Sequence, residues 1–315
     1  MKVLVTGASG FVGRALVAQL VALGRAEVLA LTRQTPAAPV AEATYLAGNY
    51  LAWQTQWRPA LAGVHTVVHA AARAHLLNDR AANPLSEFRK INVTGTLNLA
   101  AQAAQSGVSR FVFISSIGAN GMQTAPGKPF TEVDQPNPHN AYALSKWEAE
   151  QGLLRIADET GMEVVIIRPP LVYSCNAPGN FGSLMRAVQR GRPLPLGALH
   201  NQRSLVALDN LVDFIVTCIT HPQAANQTFL VSDGQDLSTT ELVRGMARAA
   251  GVPARLLPVP VWALQAGATL LDKGDAVQRL CGNLQVDISK ARSLLGWVPP
   301  VSVDEGLRRA LIAKA

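Results

Sequence analysis

The chain has 315 residues, of which 49% are hydrophobic and 16% are charged, a composition that excludes intrinsic disorder. Its net charge of +7 comes from scattered Lys and Arg residues, and because no basic run is present we predict no nucleic-acid partner. The three cysteines lie far apart and form no CxxC motif, so we predict neither a disulfide framework nor a metal site.

Apolar runs alternate with helical patterns along the first half of the chain. These runs predict strands at Lys2–Thr6, Glu27–Thr32, Thr66–Ala70, Arg110–Ser115 and Val164–Arg168. Helical spacing predicts helices over Val12–Leu23, about Leu85–Ser106 and about Tyr142–Thr160. Continuously apolar strands separated by helices are typical of parallel β-α-β units. We therefore predict an α/β fold with a Rossmann-type doubly wound parallel sheet, as a dinucleotide-binding domain over residues 1–168.

Proline and glycine become frequent after residue 168, and the predicted elements become shorter. A strand and helix around Leu205–Ile219 and a strand near Thr228–Ser232 predict returns to the sheet near residues 205–232. Further helices are predicted near Thr239–Ala250, Trp262–Leu271 and Ser289–Leu295. Residues 169–204 and 233–315 are therefore predicted to form a smaller, mostly helical C-terminal substrate lobe.

Two features bear on the predicted location of the protein. The N-terminus enters the strand Lys2–Thr6 directly, with no basic segment before an apolar stretch. The apolar run Val261–Leu271 is too short to span a bilayer. We therefore predict a cytoplasmic protein with no membrane partner.

The segment TGASGFVG, Thr6–Gly13, lies between the first predicted strand and the first predicted helix. Gly7, Gly10 and Gly13 permit a tight turn and let backbone N–H groups approach a pyrophosphate. The start of the following helix adds the positive end of its dipole. This arrangement predicts a dinucleotide cofactor.

The end of the second strand bears on which dinucleotide binds. An acid usually stands there and holds the adenosine ribose hydroxyls, but this chain has Arg33. An arginine at this position can face a ribose 2′-phosphate, so NADP stays open beside NAD.

Seven segments, in order, resemble motifs of the extended short-chain dehydrogenase/reductase family, and the resemblance covers essentially the full chain. They are TGASGFVG (6–13), HAAA (69–72), INVTGTLNLA (91–100), FVFISS (111–116), YALSK (142–146), IIRPPLVY (166–173) and LLGWVPP (294–300). Asn180-Phe181 before a helix, LPLG (194–197) and RSLVALDNLVD (203–213) resemble its nucleotide-sugar branch, the UDP-hexose 4-epimerases and related 4-keto-sugar reductases.

The resemblance implies four catalytic residues. Tyr142 would be the acid/base, and Lys146, on the same helix face at i+4, would lower the pKa of Tyr142 together with an oxidised nicotinamide. Ser116 would hydrogen-bond the same sugar oxygen. Asn92 would support the active-site helix or a water chain to Lys146.

The resemblance also implies two sets of binding residues and no metal. The residues expected to bind the cofactor are Gly7, Ser9, Gly10, Phe11, Val12, Gly13, Arg33, Asn49, Ala70, Ala71, Ala72, Ser115, Tyr142, Lys146 and Pro169. The residues expected to bind a UDP-sugar are Ser116, Tyr142, Asn180, Phe181, Leu196 and Arg203.

Three functions remain open from the sequence. The first is 4-epimerisation of UDP-N-acetylglucosamine and UDP-N-acetylgalactosamine with tightly bound NAD, in polysaccharide precursor synthesis. Small or aliphatic residues near Leu284 favour the N-acetylated sugar over glucose. The second is 4-reduction of a UDP-4-keto-6-deoxy-N-acetylhexosamine, which Arg33 favours. The third, a non-catalytic dinucleotide sensor, is disfavoured because Tyr142 and Lys146 are both present. The family resemblance also implies a homodimer.

Overall fold

We analysed a computed structural model, which describes residues 1–48, 54–73, 83–175, 177, 179–270 and 274–311. The described residues form one seven-stranded parallel sheet, in the order β3-β2-β1-β4-β5-β6-β9, and a two-stranded parallel sheet of β7 and β8. The strands are β1 (Lys2–Thr6), β2 (Glu27–Thr32), β3 (Thr44–Ala47), β4 (Thr66–His69), β5 (Arg110–Ile114), β6 (Glu163–Arg168), β7 (Leu171–Tyr173), β8 (Leu205–Ala207) and β9 (Gln227–Leu230).

Helices connect these strands and form most of the C-terminal part. They are α1 (Phe11–Leu23), α2 (Arg58–Leu61), α3 (Pro84–Phe88), α4 (Thr96–Gln105), α5 (Ala141–Thr160), α6 (Asn180–Gln189), α7 (Leu208–Thr220), α8 (Thr239–Ala249), α9 (Val261–Leu270), α10 (Gly274–Cys281), α11 (Ser289–Leu295) and α12 (Val303–Leu311). The segment Arg89–Gly95 joins α3 to α4 as a π-helix, and Ile117–Ala119 and Pro222–Ala224 are 3-10 turns.

The main sheet is buried on both faces, as expected for parallel β-α-β units. Val3 and Val5 of β1 pack in one cluster with residues of α1 and α7, whereas Leu4 packs in another with residues of α4 and α5. This alternation follows from the two-residue period of a strand. The predicted fold class is confirmed, and the crossovers bring the carboxyl ends of β1, β4, β5 and β6 to one edge.

Three strands differ from the predictions. The short strand β3 was missed, because its residues are only half-buried or exposed and give no continuous apolar run. The strand β7 was not predicted either. The strand β8 does not return to the main sheet as predicted, because it pairs in parallel with β7 from Leu171↔Leu205 to Tyr173↔Ala207. The predicted return near residue 228 is correct, since β9 pairs with β6.

The C-terminal lobe has its own apolar cluster. Tyr173, Phe181, Leu196, Met246 and Leu307 are among its buried members. The division of the chain into a domain of residues 1–168 and a lobe stays a prediction. Across the described ranges, no helix combines the length and the apolar character needed to cross a membrane.

Candidate active site

The glycine loop follows β1 and packs against the end of β4. Gly7 has φ +67°, and a Cβ there would lie 2.7 Å from the backbone nitrogen of Ala71. A Cβ on Gly13 would lie 2.2 Å from the carbonyl oxygen of Gly7. The Gly10 N–H donates to that same oxygen at 2.8 Å. Glycine is therefore required at Gly7 and Gly13 by close backbone approach, as the motif predicted.

The start of α1 has the properties of an anion site. Gly10 precedes the helix, and among the described residues no side chain caps it and its first turn holds no acid. Ser9 and Gly10 are exposed, whereas Phe11 and Val12 are half-buried. Unsatisfied N–H groups and the helix dipole together attract a phosphate. This end of the sheet therefore fits the pyrophosphate of a dinucleotide.

A second observation at the same edge fits a bound ribose. The Thr32 hydroxyl at the end of β2 is buried, and among the described residues it has no hydrogen-bond partner. Arg33 follows it and is exposed. A buried hydroxyl without a partner is costly unless a ligand satisfies it. Asn49, also predicted to bind the cofactor, lies outside the described residues.

His69 holds the segment Ala70–Ala72 in place beside the glycine loop. Its Nδ1 lies 2.7 Å from Thr6 Oγ1 and its Nε2 lies 3.0 Å from Thr96 Oγ1, and the Ala71 N–H donates to the same Thr6 oxygen at 3.3 Å. Burial, and then the charge of Lys146, lower the pKa of His69 to about 3. His69 is therefore neutral at physiological pH and serves as a buried support.

The helix α5 presents Tyr142 in its first turn. Asn140 caps the helix by accepting the Ala143 N–H at 2.8 Å, and the Tyr142 ring packs edge-on to Phe88 with centroids 6.0 Å apart. Burial raises the pKa of Tyr142 to about 12. That Lys146 and an oxidised nicotinamide together lower this pKa stays a prediction for the cofactor-bound enzyme.

Lys146 is one turn further along α5 and is 2% exposed. Its Nζ lies 3.9 Å from the centroid of the Phe113 ring, within the range of a cation–π contact. Burial lowers the pKa of Lys146 to about 7, and the charge of Glu150 opposes this shift. A buried lysine with a pKa near neutrality, beside a desolvated phenol, is a typical functional pair.

Asn92 braces the active-site helix. Its Nδ2 donates to Ser145 Oγ at 3.0 Å, and the Ser145 hydroxyl donates to the Tyr142 carbonyl at 2.8 Å. Its Oδ1 accepts the Arg73 N–H at 2.8 Å. The residue lies in the π-helical segment, a local distortion that recurs at functional sites. These contacts favour the first of its two predicted roles, support of the helix.

Ser116 follows β5 and lies next to the first turn of α5. Its Oγ accepts the Gly118 N–H at 3.1 Å, and a Cβ on Gly118 would lie 3.1 Å from the Cβ of Ala143. Because Oγ accepts that bond, the hydroxyl proton of half-buried Ser116 is available to a substrate oxygen. Pro169 supports this turn through its carbonyl, which accepts the Ile117 N–H at 3.0 Å.

A buried network behind Lys146 was missed from the sequence. The Ser115 hydroxyl donates to Glu150 Oε1, Arg168 Nη2 lies 2.5 Å from Glu150 Oε2, and Arg168 Nη1 donates to Asn120 Oδ1 at 2.9 Å. The signal available in the sequence was the position of Glu150, four residues after Lys146. The Ser115 hydroxyl is engaged here, so its predicted cofactor contact would need other atoms.

The predicted substrate residues lie in the C-terminal lobe. Asn180 is exposed at the start of α6, and half-buried Arg203 donates from Nη1 to the Gly282 carbonyl at 3.0 Å. Phe181 and Leu196 are 4% and 7% exposed and pack in the lobe's apolar cluster. Their side chains therefore lie in the core of the lobe and do not face an open site.

Comparison with known proteins identifies the family. Residues 3–232 match the model of the NAD dependent epimerase/dehydratase family, which is more than half of the chain. The chain belongs to this family. It is 46% identical over 309 residues to the UDP-glucose 4-epimerase of Vibrio cholerae, covering 98% of this chain and 94% of that protein.

Two further members of the epimerase group are more distant. An Escherichia coli O157:H7 N-acetyl-alpha-D-glucosaminyl-diphospho-ditrans,octacis-undecaprenol 4-epimerase is 29% identical over 267 residues, 80% of this chain and 78% of that protein. The crystal structure of UDP-N-acetylglucosamine 4-epimerase from Bacillus cereus superposes with a TM-score of 0.78, covering 99% and 95% of the two chains at 21% identity. That identity shows a shared fold alone.

Membership in the NAD dependent epimerase/dehydratase family confirms three predictions. The chain is an enzyme of the short-chain dehydrogenase/reductase type, in the nucleotide-sugar branch. Its cofactor is NAD, as the family's description states, which favours NAD over the NADP alternative drawn from Arg33. The geometry of the glycine loop and of α1 fits that cofactor.

Proposed function

We propose that the enzyme interconverts UDP-N-acetylglucosamine and UDP-N-acetylgalactosamine by epimerisation at C4, through a 4-keto intermediate, to supply polysaccharide precursors. The observation that carries the proposal is the meeting of Tyr142 and Lys146 on α5 with Ser116 at the end of β5. Tyr142 would then be the proton acceptor and Ser116 the hydroxyl donor, at the end of the sheet that also carries the glycine loop. The names of the Vibrio cholerae and Escherichia coli relatives support C4 as the reacting centre.

The chain's own groups handle the proton of the reaction. Tyr142, in its phenolate form, takes the proton of the C4 hydroxyl as the C4 carbonyl forms, and later returns it to the same oxygen. Ser116 donates a hydrogen bond to that oxygen throughout. Lys146, as an ammonium, stabilises the phenolate across one helical turn. Asn92 fixes the helix through Ser145, so that the phenol keeps its position while the keto sugar turns over.

The cofactor would be held by the first β-α unit. The backbone of Gly7–Gly13 and the start of α1 would bind the pyrophosphate, and Thr32 would face the adenosine ribose. Ala70–Ala72 would border the cofactor at the end of β4. When bound, NAD supplies a positive charge beside Tyr142 and takes and returns the C4 hydride. Epimerisation leaves NAD unchanged overall, so tight binding is part of the proposal.

The lobe would supply recognition of the UDP-sugar. Arg203, held by the Gly282 carbonyl, would bind the diphosphate, for which a guanidinium fork is well shaped. Asn180 would add a contact at the exposed start of α6. Cys281 and Gly282 are small residues near the predicted sugar, and they favour an N-acetylated hexose over glucose. Packing of two copies through α4 and α5 as a homodimer remains part of the proposal.

One assay tests the proposed reaction. Purified protein, with no cofactor added, is incubated with UDP-N-acetylglucosamine or with UDP-glucose, and the sugars are followed by NMR. We expect conversion of each to its galacto epimer without release of NADH, with a higher kcat/KM for the N-acetylated sugar.

Each other outcome contradicts a stated part of the proposal. A higher kcat/KM for UDP-glucose would overturn the preference for the N-acetylated sugar, whereas the assignment as a 4-epimerase would stand. No conversion of either sugar, together with oxidation of NADPH on a UDP-4-keto-6-deoxy-N-acetylhexosamine, would replace the epimerase with a 4-reductase.

A further inference from the structure

A buried ion pair lies one helical turn beyond Lys146. Glu150 is 0% exposed and Arg168 is 5% exposed, and Arg168 donates to both carboxylate oxygens, with Nε 3.1 Å from Oε1 and Nη2 2.5 Å from Oε2. The Ser115 hydroxyl also donates to Oε1. Because Glu150 is at i+4 from Lys146, the two side chains project from the same face of α5.

Burial of this pair needs a reason. Burying two charges carries a desolvation cost that an exposed ion pair does not have. An apolar pair of the same volume often stabilises a fold equally well or better. The same helix carries an exposed pair for comparison, in which Glu148 bonds Arg89 on the outer face. Stability alone therefore gives a weak account of Glu150 and Arg168.

The pair joins three elements at the edge of the sheet that carries the site. Ser115 directly precedes Ser116 at the end of β5, Arg168 is the last residue of β6, and Glu150 lies in α5. Asn120 closes the network by accepting from Arg168 at 2.9 Å and donating to the Thr131 carbonyl at 2.9 Å. The carboxylate is thus fixed on the side of α5 that bears Lys146.

We propose that Glu150, fixed by Arg168 and Ser115, is a positioning residue that holds Lys146 in its ammonium form within an apolar site. The inference rests on the proposed function, because only a charged Lys146 stabilises the Tyr142 phenolate. Lys146 otherwise contacts the Phe113 ring, and desolvation lowers its pKa, whereas Glu150 raises it. Among the described residues, Glu150 on the same helix and neutral His69 on β4 interact electrostatically with Lys146, Tyr142 lies one turn back on the helix, and Arg168 on β6 pairs with Glu150.

Titration of Lys146 by NMR tests the inference without any substrate. The chain has seven lysines, so protein labelled with ε-¹³C-lysine gives few signals, and the one lost in Lys146→Met is that of Lys146. We expect the wild-type signal to titrate near pH 7. In Glu150→Gln we expect the midpoint to fall by about one pH unit or more, because the nearest negative charge is lost.

Glu148→Gln is the matched control, since it removes a carboxylate from the same helix on the opposite face. We expect it to leave the Lys146 midpoint unchanged. A folded Glu150→Gln variant with the wild-type midpoint would overturn the inference.

A double variant allows the same titration if Glu150→Gln alone does not fold. Glu150→Gln with Arg168→Gln removes both charges, and we expect its Lys146 midpoint to lie below that of wild type. A wild-type midpoint in this double variant would also overturn the inference. Because the titration needs no sugar, either result is independent of whether the enzyme epimerises UDP-sugars.

Discussion

Replacement of Tyr142 by Phe should reduce the rate of sugar conversion by about 10²- to 10⁴-fold, the range attributed to a positioned acid/base. The fold should be retained, because the ring would keep its edge-on contact with Phe88 and only a hydroxyl is lost. The conversion rate, measured by NMR at equal enzyme concentration, gives the loss. The content of bound NAD, measured on the same samples, shows whether the cofactor site is intact.

Tyr45→Phe is the control for the loss of a phenolic hydroxyl. Tyr45 lies on the edge strand β3, where its hydroxyl accepts the Val40 N–H at 3.0 Å. We expect its activity to stay at the wild-type level. A Tyr142→Phe enzyme that is as active as Tyr45→Phe would refute the assignment of Tyr142 as the acid/base.

Replacement of Gly13 by Ala should abolish most NAD binding. The new Cβ would lie 2.2 Å from the oxygen and 2.7 Å from the carbon of the Gly7 carbonyl, so the loop and α1 must separate. We expect at least a tenfold drop in the NAD that is retained through purification, and a loss of stability of about 1–3 kcal/mol, as in overpacked cores. Extraction of the cofactor and a thermal melt measure the two effects.

Gly267→Ala separates these effects from those of a general Gly-to-Ala change. Among the described residues, a Cβ on Gly267, within α9, has no contact within 4 Å, and Ala favours a helix by about 1 kcal/mol over Gly. We expect unchanged NAD content and unchanged or slightly higher stability. Wild-type NAD content in Gly13→Ala would show that the close contact between the loop and α1 does not shape the cofactor site.

Local patterns in the sequence were enough for the parts of the site that depend on neighbours in the chain. The glycine loop could be predicted because its geometry is imposed by three glycines from the end of β1 to the first turn of α1. The i+4 spacing of Tyr142 and Lys146 likewise fixes their common helix face without any knowledge of the sheet.

Features that depend on distant contacts could not be predicted in the same way. The role proposed for Glu150 depends on its hydrogen bonds with Ser115 and Arg168, which are 35 and 18 residues away in the chain. The pairing of β8 with β7 is equally non-local, and it explains the strand assigned to the wrong sheet. A motif also predicts which residue stands near a site without predicting where its side chain points. Phe181 matches a substrate-binding segment, yet its ring packs against that of Tyr173, with centroids 5.3 Å apart.

The pKa values of the site residues could not be predicted from the sequence either. The i+4 spacing does not show how far the two groups are removed from water: Lys146 is buried in the fold and Tyr142 is half-buried. The pKa of Tyr142 rises to about 12 and that of Lys146 falls to about 7. Burial depends on α3, β5 and the π-helical segment together, so this outcome could not be predicted from spacing alone.

The fate of the hydrogen at C4 tests the central claim most directly. UDP-N-acetylglucosamine carrying deuterium at C4 is incubated with the enzyme in ordinary water, and the galacto product is examined by NMR and mass spectrometry. Transient oxidation at C4 with return of the same hydride predicts that the product keeps its deuterium at C4. Loss of that deuterium to solvent, or formation of the product at an undiminished rate by Tyr142→Phe, would contradict the proposed reaction.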